Sequence, residues 1–338
     1  MIGYPPGESS AHAIPGRRPD FVVVSGVDAS RERPIGNTFA SPEKGDNPRC
    51  SVCCGGGTDI LARLVARKLE TALQQTVIVD NRPGANGVIA SQFVERATPD
   101  GSTVMFGSNS THVIAPLLSP EKRALEATRN NFAMISILAV TPLVLAVSEK
   151  SQYGNLDQFI NAKQPGGLTF GTFGAGSSAH LMGALLAAKQ GMKLLHVPYK
   201  GSTAAITDLL GGTIDSVFLT AAAISTYVDA KQVRALAVTG TERVGSLPDV
   251  PTFKERGISG FENGGWFAMF APAKTPDNVV AFLNTELHKI IAEPDIQARF
   301  PDLGLQKRDA TLKEDEALWD ESISHMQDVI KQTKIDLN

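Results

Sequence analysis

Two glycine-rich stretches carry the residue types best suited to holding an anion. They are Gly55-Gly56-Gly57-Thr58-Asp59 and, after a helical segment, Asn81-Arg82-Pro83-Gly84-Ala85-Asn86-Gly87. Glycine lets the backbone come close to a ligand, and a helix starting at Asp59 turns its unpaired N–H groups and positive dipole end toward the same point. Asp59 has the type and position of a helix cap. No Gly-Lys-Ser/Thr follows, so this is not a nucleotide P-loop. Residues 107–111, 171–178 and 198–203 share the chemistry of 55–59, each rich in Gly and hydroxyl residues at the end of an apolar run. Such loops offer backbone N–H and hydroxyl donors, which suit a small carboxylate better than an apolar ligand. Lys200 is the only Lys or Arg in the four loops. A tight turn accounts for any one of them, because Gly and Ser are ordinary turn residues; four together favour binding.

Enzymatic and metal chemistry find weaker support. Ser177 or Ser178 with His180 could suggest a nucleophile and base, but no Gly-x-Ser-x-Gly elbow surrounds them. We read His180 as capping or lining the start of its helix. His112 and His196 lack a second ligand at i+4 and read as loop or core histidines. Tyr199 and Lys200 are adjacent, not four apart as in a short-chain dehydrogenase pair, and Asp208 and Asp215 read as surface or helix-end residues. Cys50, Cys53 and Cys54 are the only cysteines, too few for a closed zinc site and too local and odd in number for a disulfide framework. No metal and no cofactor is expected.

The elements that must position these loops come from periodicity. At 338 residues the chain exceeds the span of one hydrophobic core, so two domains are expected. Short apolar runs at 76–80, 102–107, 134–139, 143–147, 168–171, 194–197, 216–219 and 234–239 read as strands. Helices are expected near 59–74, 86–97, 155–163, 178–190, 202–211, 221–230, 277–292 and 311–333. Alternation of this kind argues for α/β architecture with mainly parallel sheets and ligands beyond the carboxyl ends of strands. Trp266 and Phe267 begin a further strand and belong to the core. The last helix, with Leu318, Trp319, Ile323, Met326 and Ile330 at helical spacing, packs on the first domain or faces a partner. A net charge of −3 without a basic cluster disfavours nucleic acid, and no apolar stretch reaches the roughly 18 residues of a membrane span.

With the loops placed, the chain resembles the Bug-type extracytoplasmic solute receptors, the substrate-binding proteins of tripartite tricarboxylate transporters. The resemblance is carried by GGGTDILARLVARKL (55–69), VIVDNRPGANG (77–87), PDGSTVMFGSNSTHVIAP (99–116), TPLVLAV (141–147), GTFGAGSSAHLMGALL (171–186), HVPYKGSTAAITDLLGG (196–212), VRALAVTGTERVGSLPDVPTFKE (233–255) and GFENGGWFAMFAPAKTP (260–276). It implies a two-domain type II periplasmic-binding-protein fold with the ligand cleft between domains 45–142 plus 260–338 and 143–259, hinged near 143–147 and 265–271. It also implies a non-enzymatic periplasmic receptor that binds a di- or tricarboxylate and serves membrane transporter subunits, expected as a monomer. A sensor feeding a membrane signalling protein would use the same site, and a small-molecule hydrolase is the more distant alternative. The matching ligand positions are Gly56, Gly57, Thr58 and Asp59; Ser108, Asn109, Ser110 and Thr111; Thr172, Gly176, Ser177, Ser178 and His180; and Pro198, Tyr199, Lys200 and Gly201.

Two departures from the family pattern stand out. Leu219 and Thr220 stand where many relatives have an acidic residue after the Phe, which disfavours amine-bearing ligands. Relatives also have an apolar strand directly before the triple glycine, where this chain has Gly-Asp-Asn-Pro-Arg-Cys-Ser-Val-Cys-Cys. Dropping one base from the codons of residues 45–54 permits Ala-Ile-Thr-Leu-Val-Val-Pro-Phe-Ala-Ala, so we expect a frame-shifted stretch there. Residues 1–44 are expected to be poorly structured and lack a recognisable signal peptide as written. Of these, only Phe21–Val24 is strand-like, and it is not expected to replace the missing strand.

Overall fold

The structure is a computed structural model that describes residues 21–25, 57–82, 87–120, 124–162, 164–333 and 335. In chain order the elements are β1 (Phe21–Ser25), α1 (Gly57–Leu73), β2 (Val77–Asn81), α2 (Val88–Glu95) and β3 (Thr103–Ser108). A π-helical turn (Ser110–Ile114) then runs into α3 (Ala115–Leu117), followed by α4 (Ala124–Asn131), β4 (Phe132–Thr141), β5 (Leu143–Ser148) and α5 (Leu156–Ile160). Next come β6 (Leu168–Thr172), α6 (Ser178–Gln190), β7 (Leu194–Pro198), α7 (Ser202–Leu210), β8 (Ser216–Thr220), α8 (Ala221–Asp229) and β9 (Val233–Val238). The chain finishes with β10 (Gly265–Pro272), α9 (Asp277–Ala292), α10 (Pro294–Gln297), α11 (Arg299–Asp302), β11 (Gln306–Lys307) and α12 (Leu312–Thr333).

The strands form two sheets, ordered β11-β4-β10-β3-β1-β2 and β7-β6-β8-β5-β9. Both are mixed, which corrects the expectation of mainly parallel sheets. β1 runs parallel to β2 and β3, and β6 to β7 and β8, whereas β10 opposes β3 and β4, and β5 opposes β8 and β9. The cause is the crossing between sheets. A strand that enters a sheet from its carboxyl edge must run against its parallel neighbours, as β5 and β10 do.

The expectation that Phe21–Val24 does not supply the missing strand is also overturned. β1 sits in the middle of the first parallel set, with Phe21 N donating to Thr76 O at 3.0 Å and Val22 N to Ser102 O at 2.7 Å. Phe21 and Val23 face the core made with Leu61, Val65 and Leu69 of α1; Val24 faces the core containing Ala90 and Met105. A run of four apolar residues satisfies the requirement of a central parallel strand buried on both faces, and this outweighs its unpromising polar surroundings. Residues 45–54, with the three cysteines and the expected frame shift, lie outside the described residues.

One core packs α1 and α9 against the first sheet, and another packs α7 and α8 against the second. The third joins the two halves, since α12 touches β4 and the π-helical turn as well as α6 of the second half. The last helix therefore packs on both halves rather than on the first alone. Its fully buried Asp315 accepts from Ile137 N at 2.8 Å, beside a register shift in the β4–β10 pairing, and is paired with Arg308 at 2.8 Å. A ladder irregularity leaves a backbone donor without a strand partner, and this carboxylate satisfies it.

Candidate functional site

Register alone brings the loops of the two sheets toward one place. β4 passes into β5 through Thr141-Pro142-Leu143, and Leu143 lies opposite Thr220, the carboxyl end of β8. β10 starts at Gly265 opposite Thr141, and Phe267 lies opposite Ser108, the carboxyl end of β3. Both crossings thus stand at the carboxyl edges of the parallel strands of both sheets, where loops after β3, β6 and β7 emerge. The crossing is braced by Thr239, whose hydroxyl accepts from Leu143 N at 2.9 Å and whose N–H donates to Leu143 O at 2.8 Å. Nothing in the spacing of the sequence marks Thr239 for this role.

In the first sheet the loop after β3 is tied down from behind. Ser108 N donates to the Thr111 hydroxyl at 2.9 Å, and that hydroxyl donates to Ser108 O at 3.0 Å. Because its one proton is used there, the 2.8 Å contact between Thr111 Oγ1 and His112 Nδ1 is best satisfied by an Nδ1–H donor. The imidazole Nε2 then stays a bare buried acceptor without a partner. His112 is fully buried, stacked on Phe270 at 3.8 Å and met edge-on by Phe132 at 5.0 Å, and burial pushes its pKa down to about 3. This confirms a core histidine. Asn109 is buried against the crossing, such that a Cβ on Gly265 would lie 3.3 Å from its Oδ1. Ser110 opens the π-helical turn.

In the second sheet the loop after β6 is tied in a related way. Thr172, fully buried, accepts from Gly174 N at 3.2 Å, donates toward Gly174 O at 3.1 Å, and lies 2.7 Å from His196 Nε2. Ser177 caps α6, accepting from His180 N at 3.3 Å and donating to Gly174 O at 2.7 Å. Gly176 N donates to the His180 ring at Nδ1, 3.2 Å away. The imidazoles of His180 and His196 stack at 3.7 Å, and burial holds their pKa values at about 4 and about 3, the neighbouring ring adding to the second.

Several expected ligand donors are therefore already committed: the Thr111, Thr172 and Ser177 hydroxyls and the Gly176 amide. The first-turn amides of α6, at Ser178 and Ala179, have no acceptor within their own helix. Ala179 was not foreseen, because a backbone donor leaves no mark in a side-chain pattern. Of the remaining positions, Pro198 ends β7 and Gly201 stands at the N-cap of α7 with φ 136°, while Lys200 is exposed between them. Tyr199 turns its hydroxyl to Asp208 Oδ2 at 2.6 Å; burial and that bond raise its pKa to about 12. Asp208 and Asp215 are thus structural, the latter accepting from Thr169 N and Oγ1 at 2.8 and 2.7 Å. Gly57, Thr58 and Asp59 form the first turn of α1, so the helix begins two residues before the expected cap; Gly56 lies outside the described residues. Leu219 is buried in the core, which leaves Thr220 as the residue reaching the edge.

A nucleophile–base pair is not assembled from Ser177 and His180. The serine meets the backbone N–H of His180, and the ring accepts from Gly176. Among the described residues there is no group of three or more His, Cys, Asp or Glu placed to hold a metal.

The fold and the sequence have known counterparts. A family model described as the tripartite tricarboxylate transporter family receptor matches residues 61–335. A UPF0065 protein from a tcbD–tcbE intergenic region of a Pseudomonas species is 39% identical over 255 residues, covering 75% of each chain. A Rhodopseudomonas palustris protein solved with adipate superposes with a TM-score of 0.79 at 25% identity, over 94% of this chain and 98% of that one. MatC from the same organism, solved with bound malate, gives a TM-score of 0.74 at 26% identity, over 92% and 98%.

Proposed function

This chain belongs to the tripartite tricarboxylate transporter receptor family, and on that premise we propose that it captures a small carboxylate between its two halves and delivers it to membrane subunits of such a transporter. The observation that carries the reading is the convergence of two donor loops, one from each sheet, on the paired crossing strands. A solute held by both halves favours the closed arrangement over the open one by the difference in its contacts, and closure is what a membrane partner can recognise. The halves are the domains 45–142 with 260–338 and 143–259, and the working form is a periplasmic monomer. Relatives solved with adipate and malate support a di- or related carboxylate as the class.

The donors fit such a cargo. First-turn amides of α6 and α7, the α1 N-terminus, Asn109, Ser110 and Lys200 supply dipoles and one cation instead of a buried arginine clamp. Neutral donors and bridging waters hold an anion without a fully buried ion pair, whose rupture would cost about 3–5 kcal/mol. Release to the transporter stays feasible. Thr220 in place of an acid gives an ammonium group no counter-ion there, so amino acids are disfavoured.

A melting screen against mono-, di- and tricarboxylates, including adipate, malate and citrate, tests this. A ligand at about 100 times its Kd should stabilise the fold by roughly 2.7 kcal/mol, a rise of several degrees. A cooperative melt that stays fixed across the panel, with calorimetric titration equally silent, would remove the carboxylate assignment.

A further inference from the structure

The stacked rings of His180 and His196 each bond the loop after β6. Gly176 N–H can only donate, so its bond to His180 Nδ1 fixes that ring as neutral with its proton on Nε2. His196 meets the Thr172 hydroxyl, which is bonded in turn to Gly174, and Ser177 closes the turn onto Gly174 O. The Gly176 amide bonds one ring directly, and Gly174 is tied to the other through the Thr172 hydroxyl. A shallow groove lined by His180, His196, Ala184, Leu194 and Thr333 gives solvent a route to the pair. Phe170 and Thr172 of β6, Ala184 of α6 and Thr333 of α12 face it, none of them charged. His180 is the one titratable group acting on His196; Lys189 of α6 acts instead on His325.

We propose that His180 and His196 are positioning residues that latch the 174–177 turn, and that one proton added to the pair opens the latch and loosens the carboxylate; this rests on the receptor reading above. A proton on His180 Nδ1 sets N–H against N–H at Gly176, a residue at φ 69°, and the repulsion pushes the turn away. The face-to-face stack at 3.7 Å admits one charge far more readily than two. The new charge attracts an anion, but beside a groove open to solvent that attraction is screened, whereas the lost donor geometry is not recovered.

The test compares wild type with His180→Asn, whose Oδ1 can still accept from Gly176 but cannot titrate. Malate and adipate affinities are measured by calorimetry from neutral pH downward, and the ratio of the two proteins' Kd values cancels the ligand's own protonation. That ratio should be near one at neutral pH, about two at about pH 4 and about eleven one unit lower. His196→Gln, the second variant, keeps the titratable His180 ring and should therefore retain the acid response. In ligand-free protein, Gly176 amide exchange should be slowed in wild type and His180→Asn and fast in His180→Phe. Equal exchange in all three overturns the latch without reference to any ligand. A ratio that stays flat, or an affinity that rises on acidification, overturns the proton effect while leaving the receptor reading intact. Failure of every carboxylate to bind, with the exchange pattern as expected, overturns the receptor reading and the ligand half of this inference.

Discussion

The loops after β3 and β6 solve one problem with different parts. Each begins with Gly and a hydroxyl residue at a strand end, Gly107-Ser108 and Gly171-Thr172, and each ties a threonine hydroxyl to a histidine at 2.8 or 2.7 Å. The difference lies in what stands behind the histidine. His112 is stacked on Phe270 and boxed by Phe132 and Trp319, with no exposure to solvent. His196 is only partly buried and stacked on a second imidazole beside a groove. The first loop is anchored to a hydrocarbon core and the second to a pair that can titrate. A receptor with these two anchors has one fixed jaw and one adjustable jaw.

Truncation should separate the anchors most strongly. His112→Ala empties a sealed aromatic box and removes one of the Thr111 hydroxyl's hydrogen bonds, and large-to-small changes of buried rings cost about 3–5 kcal/mol. His196→Ala opens onto the groove, where side chains and water can fill the gap, so its cost should be about half as large. Urea unfolding with an unchanged slope checks both. Equal losses would erase the distinction between the jaws.

Acid should act through the same residues. The pKa values of His112, His180 and His196 lie at about 3, about 4 and about 3, all below the ordinary 6.5. The unfolded chain therefore takes up protons first as pH falls. Stability is fully present above about pH 6.5 and is lost progressively toward the folded-state values, on the order of 3 kcal/mol for His112 by about pH 4. His112→Phe, which keeps a stacked ring and cannot titrate, should make the unfolding free energy less steep over that window. An unaltered slope would mean that His112 is not buried neutral.

Most of this framework can be read in the sequence, because it rests on local pattern. The strands from 76–80 to 234–239 and the helices at 178–190, 202–211 and 277–292 emerge close to their expected ends, since their apolar periodicity is the packing itself. Alternation also gave the α/β class, but not strand direction, which depends on where the chain crosses between sheets. β1 was misjudged because four residues suffice for a central strand while composition is read over longer windows. The loops were found as donors, and which donors are free was not, for that depends on partners far off in sequence. Thr172 meets His196 on the next strand, and the amide of Ile137 meets Asp315 on the last helix. α12 is expected from its pattern on the first half or against a partner and lies on both halves, because an amphipathic stripe says that a face is buried and not by what.

The smallest expected effect tests the jaws at the glycines that precede the two hydroxyl residues. A Cβ at Gly107 would lie 2.6 Å from the His112 ring and 3.0 Å from Phe270, two rings held by each other and by Phe132. A Cβ at Gly171 would lie 2.6 Å from Ile214 Cδ1, the end of a flexible side chain, and 3.0 Å from the Tyr199 ring. Overpacking costs about 1–3 kcal/mol when the neighbours cannot yield and less when they can. Gly107→Ala should therefore lie near the upper part of that range and Gly171→Ala near or below its lower end, as read by thermal unfolding at neutral pH. Carboxylate affinity should follow the opposite order, because Tyr199 belongs to one of the proposed ligand loops and moving it repositions Lys200 and Gly201, whereas the boxed rings transmit their strain into the core. If Gly171→Ala proves the more destabilising and leaves binding untouched, the second jaw is the rigid one and the assignment of the two anchors must be reversed.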